Sequence, residues 1–232
     1  MSQFIFYHIE KCGGTSLRTI LYDYFCHIYP KNVIFTPMPG PEMKINYLPN
    51  HIDKIKQNKR YDFPNIRVIL SHIRYNSFPD LTNQCKYKFI CVREPVSRLI
   101  SHYYYFDYPK TKTHFIDLNA ENFKEYGSRY SNHISECFGI KTPNVFEIDK
   151  RLKEFDYIAI LENLDSELIG LNKSLNNTFN KDIVLKNKKM NISKEKDIKD
   201  LKNLISLLED YCTLDIIVYN RILCLKKTNV ID

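Results

Sequence analysis

Apolar residues follow two rhythms along this chain. Compact apolar runs at Phe4–Ile9, Val33–Phe35, Ile66–Ser71, Tyr87–Val92 and Tyr157–Leu161 read as strands. Between them, apolar residues spaced i, i+3, i+4, i+7 mark helices. One crosses Thr15–Cys26, and a second buries Val96, Leu99, Ile100 and Tyr103. A late helical stretch from Lys194 to Leu225 carries Ile198, Leu201, Ile205 and Leu208. Short apolar strands alternating with helices predict an α/β fold, with a central parallel sheet covered by helices on both faces. Thr36–Pro49, rich in Pro and Gly, and the polar stretch Asp107–Glu121 read as irregular loops, suited to an acceptor cleft and a lid. Leu175–Ser193, rich in Asn and Lys, reads as another loop. No repeat or linker interrupts the pattern, so residues 1–232 are expected to form one domain.

The first strand runs straight into Lys11, Cys12, Gly13, Gly14, Thr15 and Ser16, which open a helix. A helix N-terminus presents unpaired N–H groups and the positive end of the helix dipole, so a strand, Gly-rich loop and helix in series make an anion site. Gly13 and Gly14 let the backbone approach the anion. Lys11 supplies a full charge, and Thr15 and Ser16 supply hydroxyls. The nucleoside-triphosphatase loop would place a lysine after its last glycine, and here Lys11 precedes both. The Gly-x-Gly-x-x-Gly dinucleotide pattern is absent as well. Taken alone, the segment remains open to a plainer reading, a turn whose glycines serve packing.

A second strand–turn–helix unit lies at YKFICVREPVSRLISHYYYF, Tyr87 to Phe106. Arg93 ends the strand, and Pro95 suits the first helical turn, where its missing N–H costs nothing. Ser97 and Ser101 are one turn apart, and Arg98 is expected near them on the less apolar side. The plainer reading of Arg93 is a strand-end salt bridge near Glu94.

Together the two segments resemble the sulfotransferases that use 3′-phosphoadenosine-5′-phosphosulfate (PAPS), in the carbohydrate branch related to heparan sulfate 2-O-sulfotransferase and its bacterial relatives. HIEKCGGTSL resembles that family's 5′-phosphosulfate loop, which usually has Pro at the place of Glu10 and often Thr or Ser at that of Cys12. VREPVSRLISHYYYF resembles its 3′-phosphate segment, in which a strand-end Arg and a Ser eight residues on hold the phosphate; Arg93 and Ser101 match these. SHIRYNSF resembles the segment with the catalytic histidine, which maps to His72. NHISECFG, IAILENLDSELIGL and LDIIVYNRIL resemble later elements, so about 200 of the 232 residues can be placed. The resemblance implies a P-loop-like fold, PAPS as donor with PAP as product, no metal, and a hydroxyl acceptor on a glycan or glycolipid. Lys11 would stabilise the leaving phosphate, and His72 would take the acceptor's proton. Lys11, Cys12, Gly13, Gly14, Thr15, Ser16, Arg93 and Ser101 would bind the nucleotide.

The expected topology agrees with this grouping independently. In open α/β sheets ligands sit beyond the C-terminal strand ends, and Lys11, His72 and Arg93 each follow a strand directly. His8 is expected to face inward, and His102 to be structural or to support a residue of the site from behind.

Composition adds boundaries. The net charge of +7 suits a polyanionic ligand, nucleic acid or simple solubility, and separates none of them. The seven cysteines show no Cys-x-x-Cys spacing, which speaks against a zinc site or disulfide framework and for thiols in a cytoplasmic setting. Cys12, beside Lys11, is either a reactive thiol or a neutral spacer. The basic cluster Lys186, Lys188 and Lys189 reads as a solvated loop. No apolar run reaches the ~20 residues of a membrane span, so no transmembrane anchor is expected. Two other readings compete. One is a P-loop-type kinase, weakened by the missing Gly-Lys-Thr. The other is a non-catalytic nucleotide or nucleic-acid binding protein, for which the 17 tyrosines form no RNA-binding pattern. No nucleic-acid partner is expected.

Overall fold

Strand β1 (Phe4–Tyr7) is buried at every position. A strand can be so only if both faces of its sheet are covered. Phe4 and Phe6 pack against Leu17, Ile20, Leu21, Tyr24 and Phe25 of helix α1 (Gly14–Cys26), while Ile5 and Tyr7 enter the opposite layer. The apolar stripe of α1 thus follows helical spacing, and each fully buried large side chain in it contributes about 1.5–3 kcal/mol.

The computed structural model describes residues 3–29, 34–35, 67–72, 85–118, 120–185 and 208–231. Within them β1 joins β2 (Ile34–Phe35), β3 (Val68–Ser71), β4 (Tyr87–Val92) and β5 (Tyr157–Ile160) in one sheet of order β2-β3-β1-β4-β5. Every pairing is parallel, with Tyr7 opposite Ser71 on one side and Ile90 on the other. This is the expected single α/β domain with P-loop-like architecture.

Six further helices and one short turn of helix complete the described chain: α2 (Pro95–Phe106), α3 (Tyr108–Thr111), α4 (Ala120–Tyr130), α5 (His133–Phe138), α6 (Val145–Leu152), α7 (Leu164–Phe179) and α8 (Thr213–Lys227). Helix α7 shares the layer of α1, through Leu168, Leu171 and Leu175. Helices α5, α6 and α8 cover the other face with Ile134, Phe138, Ile148, Leu152, Val218 and Ile222. A smaller core joins α2 to α4 through Leu99, Tyr103, Phe115, Phe123 and Tyr126.

One buried acid ties two of these elements together. Asp215, fully buried in the first turn of α8, accepts from the amides of Ile134 (3.0 Å) and Ser135 (2.7 Å) and from the Ser135 hydroxyl (2.8 Å). It thereby caps the open amides at the start of α5, which is closed at its other end by Gly139, φ 69°.

Three expectations need correction. Asp107–Glu121 is not an irregular loop: it contains α3, a 3-10 turn at Phe115–Asp117 and the start of α4, anchored by the fully buried Phe115. Helix α7 continues through Leu175 to Phe179, where a loop was expected. Arg98 lies not on the polar side of α2 but wholly inside, donating through Nη2 to the Tyr130 carbonyl. The loop Thr36–Pro49, the Lys186–Lys189 cluster and the helical pattern at 194–207 lie outside the described residues. Among those described, no helix is long and apolar enough to cross a membrane.

Candidate functional site

The loop after β1 is tightly turned. Cys12 N–H returns to the Ile9 carbonyl at 3.3 Å, and Leu17 N–H reaches the Gly13 carbonyl at 3.0 Å as the first bond of α1. The amides of Gly14 and Thr15 therefore precede the helix ladder, and no side chain caps this N-terminus. Gly13 sits at φ 71°, where glycine is at ease. Gly14 is required for space, because a Cβ there would occupy the place of the His8 imidazole. Lys11 adopts φ 67°, an unfavourable left-handed conformation for a lysine that costs on the order of 1 kcal/mol or more.

Strain at Lys11 aims its side chain toward α2. Its ammonium lies 3.9 Å from the centroid of the Tyr105 ring, a cation–π contact to an aromatic that is 62% exposed. Burial, reinforced by Arg93, holds the Lys11 amine below its ordinary value. Thr15 is exposed and Ser16 buried in the opening turn of α1.

Arg93 comes from the neighbouring strand. Tyr7 is level with Ile90, so the turn that follows β1 and the residues that end β4 leave the sheet at the same edge. The Arg93 guanidinium donates to the Lys11 carbonyl at 3.5 Å. No carboxylate pairs with it among the described residues. The expected competitor, Glu94, is committed to its own helix, accepting from Val96 N–H at 2.9 Å and Ser97 N–H at 2.7 Å. Ser101 is half-buried on α2, one turn before Tyr105 and so on the same stripe as the ring covering Lys11.

His72 follows β3 and His8 follows β1, and the parallel register brings their rings into a stack 3.8 Å apart. Burial, aided by His72, Arg18 and Lys11, pushes His8 well below the ordinary histidine value. His72 is lowered too, by burial first, although Glu10 and a hydrogen bond with the His8 backbone pull the other way. Both imidazoles are therefore neutral at pH 7, as a proton acceptor must be.

Sequence reasoning missed two partners at this site. Glu10 Oε2 lies 3.2 Å from His102 Nε2, and His102 Nδ1 lies 2.7 Å from the Tyr126 hydroxyl. Tyr105 over Lys11 is the other. His102 is structural, as expected, but it serves the loop itself. Cys12 is resolved as the neutral spacer: it is fully buried, and burial pushes its thiol up to about 12. None of the seven cysteines forms a disulfide, and among the described residues no His, Cys, Asp and Glu cluster could hold a metal ion.

A turn with open amides, an arginine with no acidic partner among the described residues and a neutral histidine thus lie at the C-terminal ends of three adjacent parallel strands. No curated protein matches the chain. The model of the Sulfotransferase family does match, over residues 2–220, spanning the site and every described strand, and the chain belongs to that family.

Proposed function

We propose that the protein transfers a sulfuryl group from PAPS to a hydroxyl, on a glycan or glycolipid as in the carbohydrate branch that its two anion motifs resemble. The observation that carries this reading is the approach of Arg93 to within 3.5 Å of the Lys11 carbonyl, from 82 residues away in the chain. Two cationic segments meeting so closely suit a ligand with phosphates at both ends. The residues present fit such a donor. The amides of Gly14 and Thr15, with Lys11, Gly13 and the Ser16 segment, would hold the 5′-phosphosulfate, while Arg93 and Ser101 would hold the 3′-phosphate. PAPS, when bound, supplies a sulfuryl group activated for in-line displacement.

The chain's own residues then position and stabilise. Lys11 leaves the Tyr105 face to neutralise charge on the departing phosphate. His72 accepts the acceptor's proton as that oxygen's electron pair closes on sulfur, a role worth roughly 10²–10⁴ in rate. The neutral state of His72 and the absence of a carboxylate paired with Arg93 among the described residues both support these assignments. Seven cysteines without a disulfide support a reducing, cytoplasmic setting.

Incubation with ³⁵S-labelled PAPS and a panel of sugar acceptors tests the reading. Label should pass to a glycan hydroxyl, and His72→Ala should lose most turnover while binding PAP as the wild type does. Tighter binding of ATP than of PAP, with no transfer of label, would instead favour a kinase-like protein.

A further inference from the structure

The loop after β1 is clasped to the segment that runs from Arg93 into α2. Arg93 reaches the Lys11 carbonyl at 3.5 Å, and the Lys11 ammonium rests 3.9 Å from the centre of the Tyr105 ring. Both contacts are made by cations that a bisphosphorylated donor would engage, so both are given up when it binds. A third contact uses neither cation. Glu10 Oε2 lies 3.2 Å from His102 Nε2. Burial would raise the Glu10 carboxyl, but the His102 hydrogen bond and the neighbouring His72, His102 and His133 hold it below the usual range. Glu10 is therefore ionised and only accepts, and the His102 N–H donates to it.

The His102 end of this tie is set deep. The imidazole is buried, its Nδ1 lies 2.7 Å from the Tyr126 hydroxyl, and that hydroxyl lies 3.4 Å from the Leu99 carbonyl. The rings of Phe106 and Tyr130 flank it, with centroids at 4.6 and 4.5 Å. Helices α2 and α4 thus fix the imidazole together, and His102 directly follows Ser101 on α2. The loop end needs such a hold. Lys11, the next residue after Glu10, sits at φ 67°, and a strained residue keeps its conformation only where its neighbours impose it.

We propose that His102, fixed by Tyr126 and tied to Glu10, is a positioning residue that presets the span between the 5′-phosphosulfate turn and the 3′-phosphate segment, and with it the preference for a nucleotide phosphorylated at both ends. This role rests on the reading of the site as one for PAPS and PAP. Once one end of such a ligand is held, the other binds as an intramolecular event, and its effective concentration falls if the span wanders. A nucleotide with a single phosphate does not sense the span.

His102→Phe keeps a ring in the same space and removes both nitrogens, whereas His102→Gln keeps a donor at the place of Nε2. Titration calorimetry of the full chain with PAP, adenosine 5′-monophosphate (AMP) and adenosine 3′-monophosphate reads the effect. In His102→Phe, PAP should bind about tenfold more weakly, while both single-phosphate nucleotides stay within about twofold of the wild type. His102→Gln should restore most of the lost PAP affinity. Glu10→Ala cuts the tie from the loop side and leaves the small core intact. It should lower the PAP-to-AMP ratio as His102→Phe does, and it decides the matter if the phenylalanine variant does not fold. An unchanged ratio in either variant, or an equal loss for all three nucleotides as a general loosening of the fold would give, overturns the role of His102 and leaves the donor reading standing. A wild type that binds PAP no more tightly than AMP overturns the donor reading itself, and this role with it.

Discussion

Replacing Arg93 by alanine removes a guanidinium that the fold itself barely uses. Among the described residues its protein contact is a single donation to the Lys11 carbonyl at 3.5 Å, at the outer limit of a hydrogen bond, and no acidic partner there is stranded by its loss. The expected cost to stability is below about 1 kcal/mol. Binding should respond very differently. A guanidinium fork on a phosphate makes two charge-assisted hydrogen bonds, each worth about 1.5–3 kcal/mol, so losing them should weaken PAP by roughly 10²–10⁴-fold. A ligand without the 3′-phosphate, such as AMP, should lose almost nothing. Titration calorimetry of wild type, Arg93→Ala and Arg93→Lys with PAP and AMP, beside thermal melts of the unliganded proteins, measures both sides. Arg93→Lys keeps the charge but not the fork, and should fall between the other two. An unchanged PAP-to-AMP ratio in Arg93→Ala would refute the argument, as would a melting temperature lowered by many degrees.

Two further outcomes follow from groups away from the anion grip. Asp215→Ala strips three hydrogen bonds from a fully buried carboxylate and uncaps α5, so denaturant unfolding should show a loss of about 3–5 kcal/mol; a loss under about 1 kcal/mol would contradict the capping role. The neutral His8 and His72 make the folded chain bind fewer protons than the unfolded chain below the ordinary histidine value of 6.5, so their contribution is present above that pH and is lost as pH falls through it. Urea midpoints should therefore drop on acidification from about pH 7.5 to about pH 5.5, and less steeply in His8→Phe; equal slopes in the two proteins would count against this.

The strands were legible because a parallel sheet covered on both faces needs unbroken apolar runs, as Phe4–Tyr7 and Tyr87–Val92 supply. Their ends were read slightly long: Ile9 is buried, but the chain has already left the ladder to turn at Lys11. Asp107–Glu121 misled because polar letters outnumber its one decisive anchor, Phe115. Helix α7 was cut short because asparagines are poor helix formers, yet tertiary contacts hold them. Asn176 accepts from the Tyr24 hydroxyl at 3.0 Å and donates to the Ile183 carbonyl at 2.9 Å. Arg98 follows the same logic, since the Tyr130 carbonyl that accepts from it lies 32 residues away at the end of α4. At the site, strand-end positions were readable from topology alone. The contact between Glu10 and His102 was not, because 92 residues separate them and no local spacing encodes the meeting.

The adjacency of β1 and β4 has a consequence for how this protein can diversify. Neighbouring strands stand about 4.8 Å apart whatever chain connects them, so the gap between the two cationic turns is set by backbone ladder geometry. Lys11 and Arg93 stand 82 residues apart, and loops between them can gain or lose residues without resizing that gap. Donor recognition is thereby insulated from edits to the intervening segments, and new acceptors can be taken on by exchanging them, like jaws refitted to an unchanged vice.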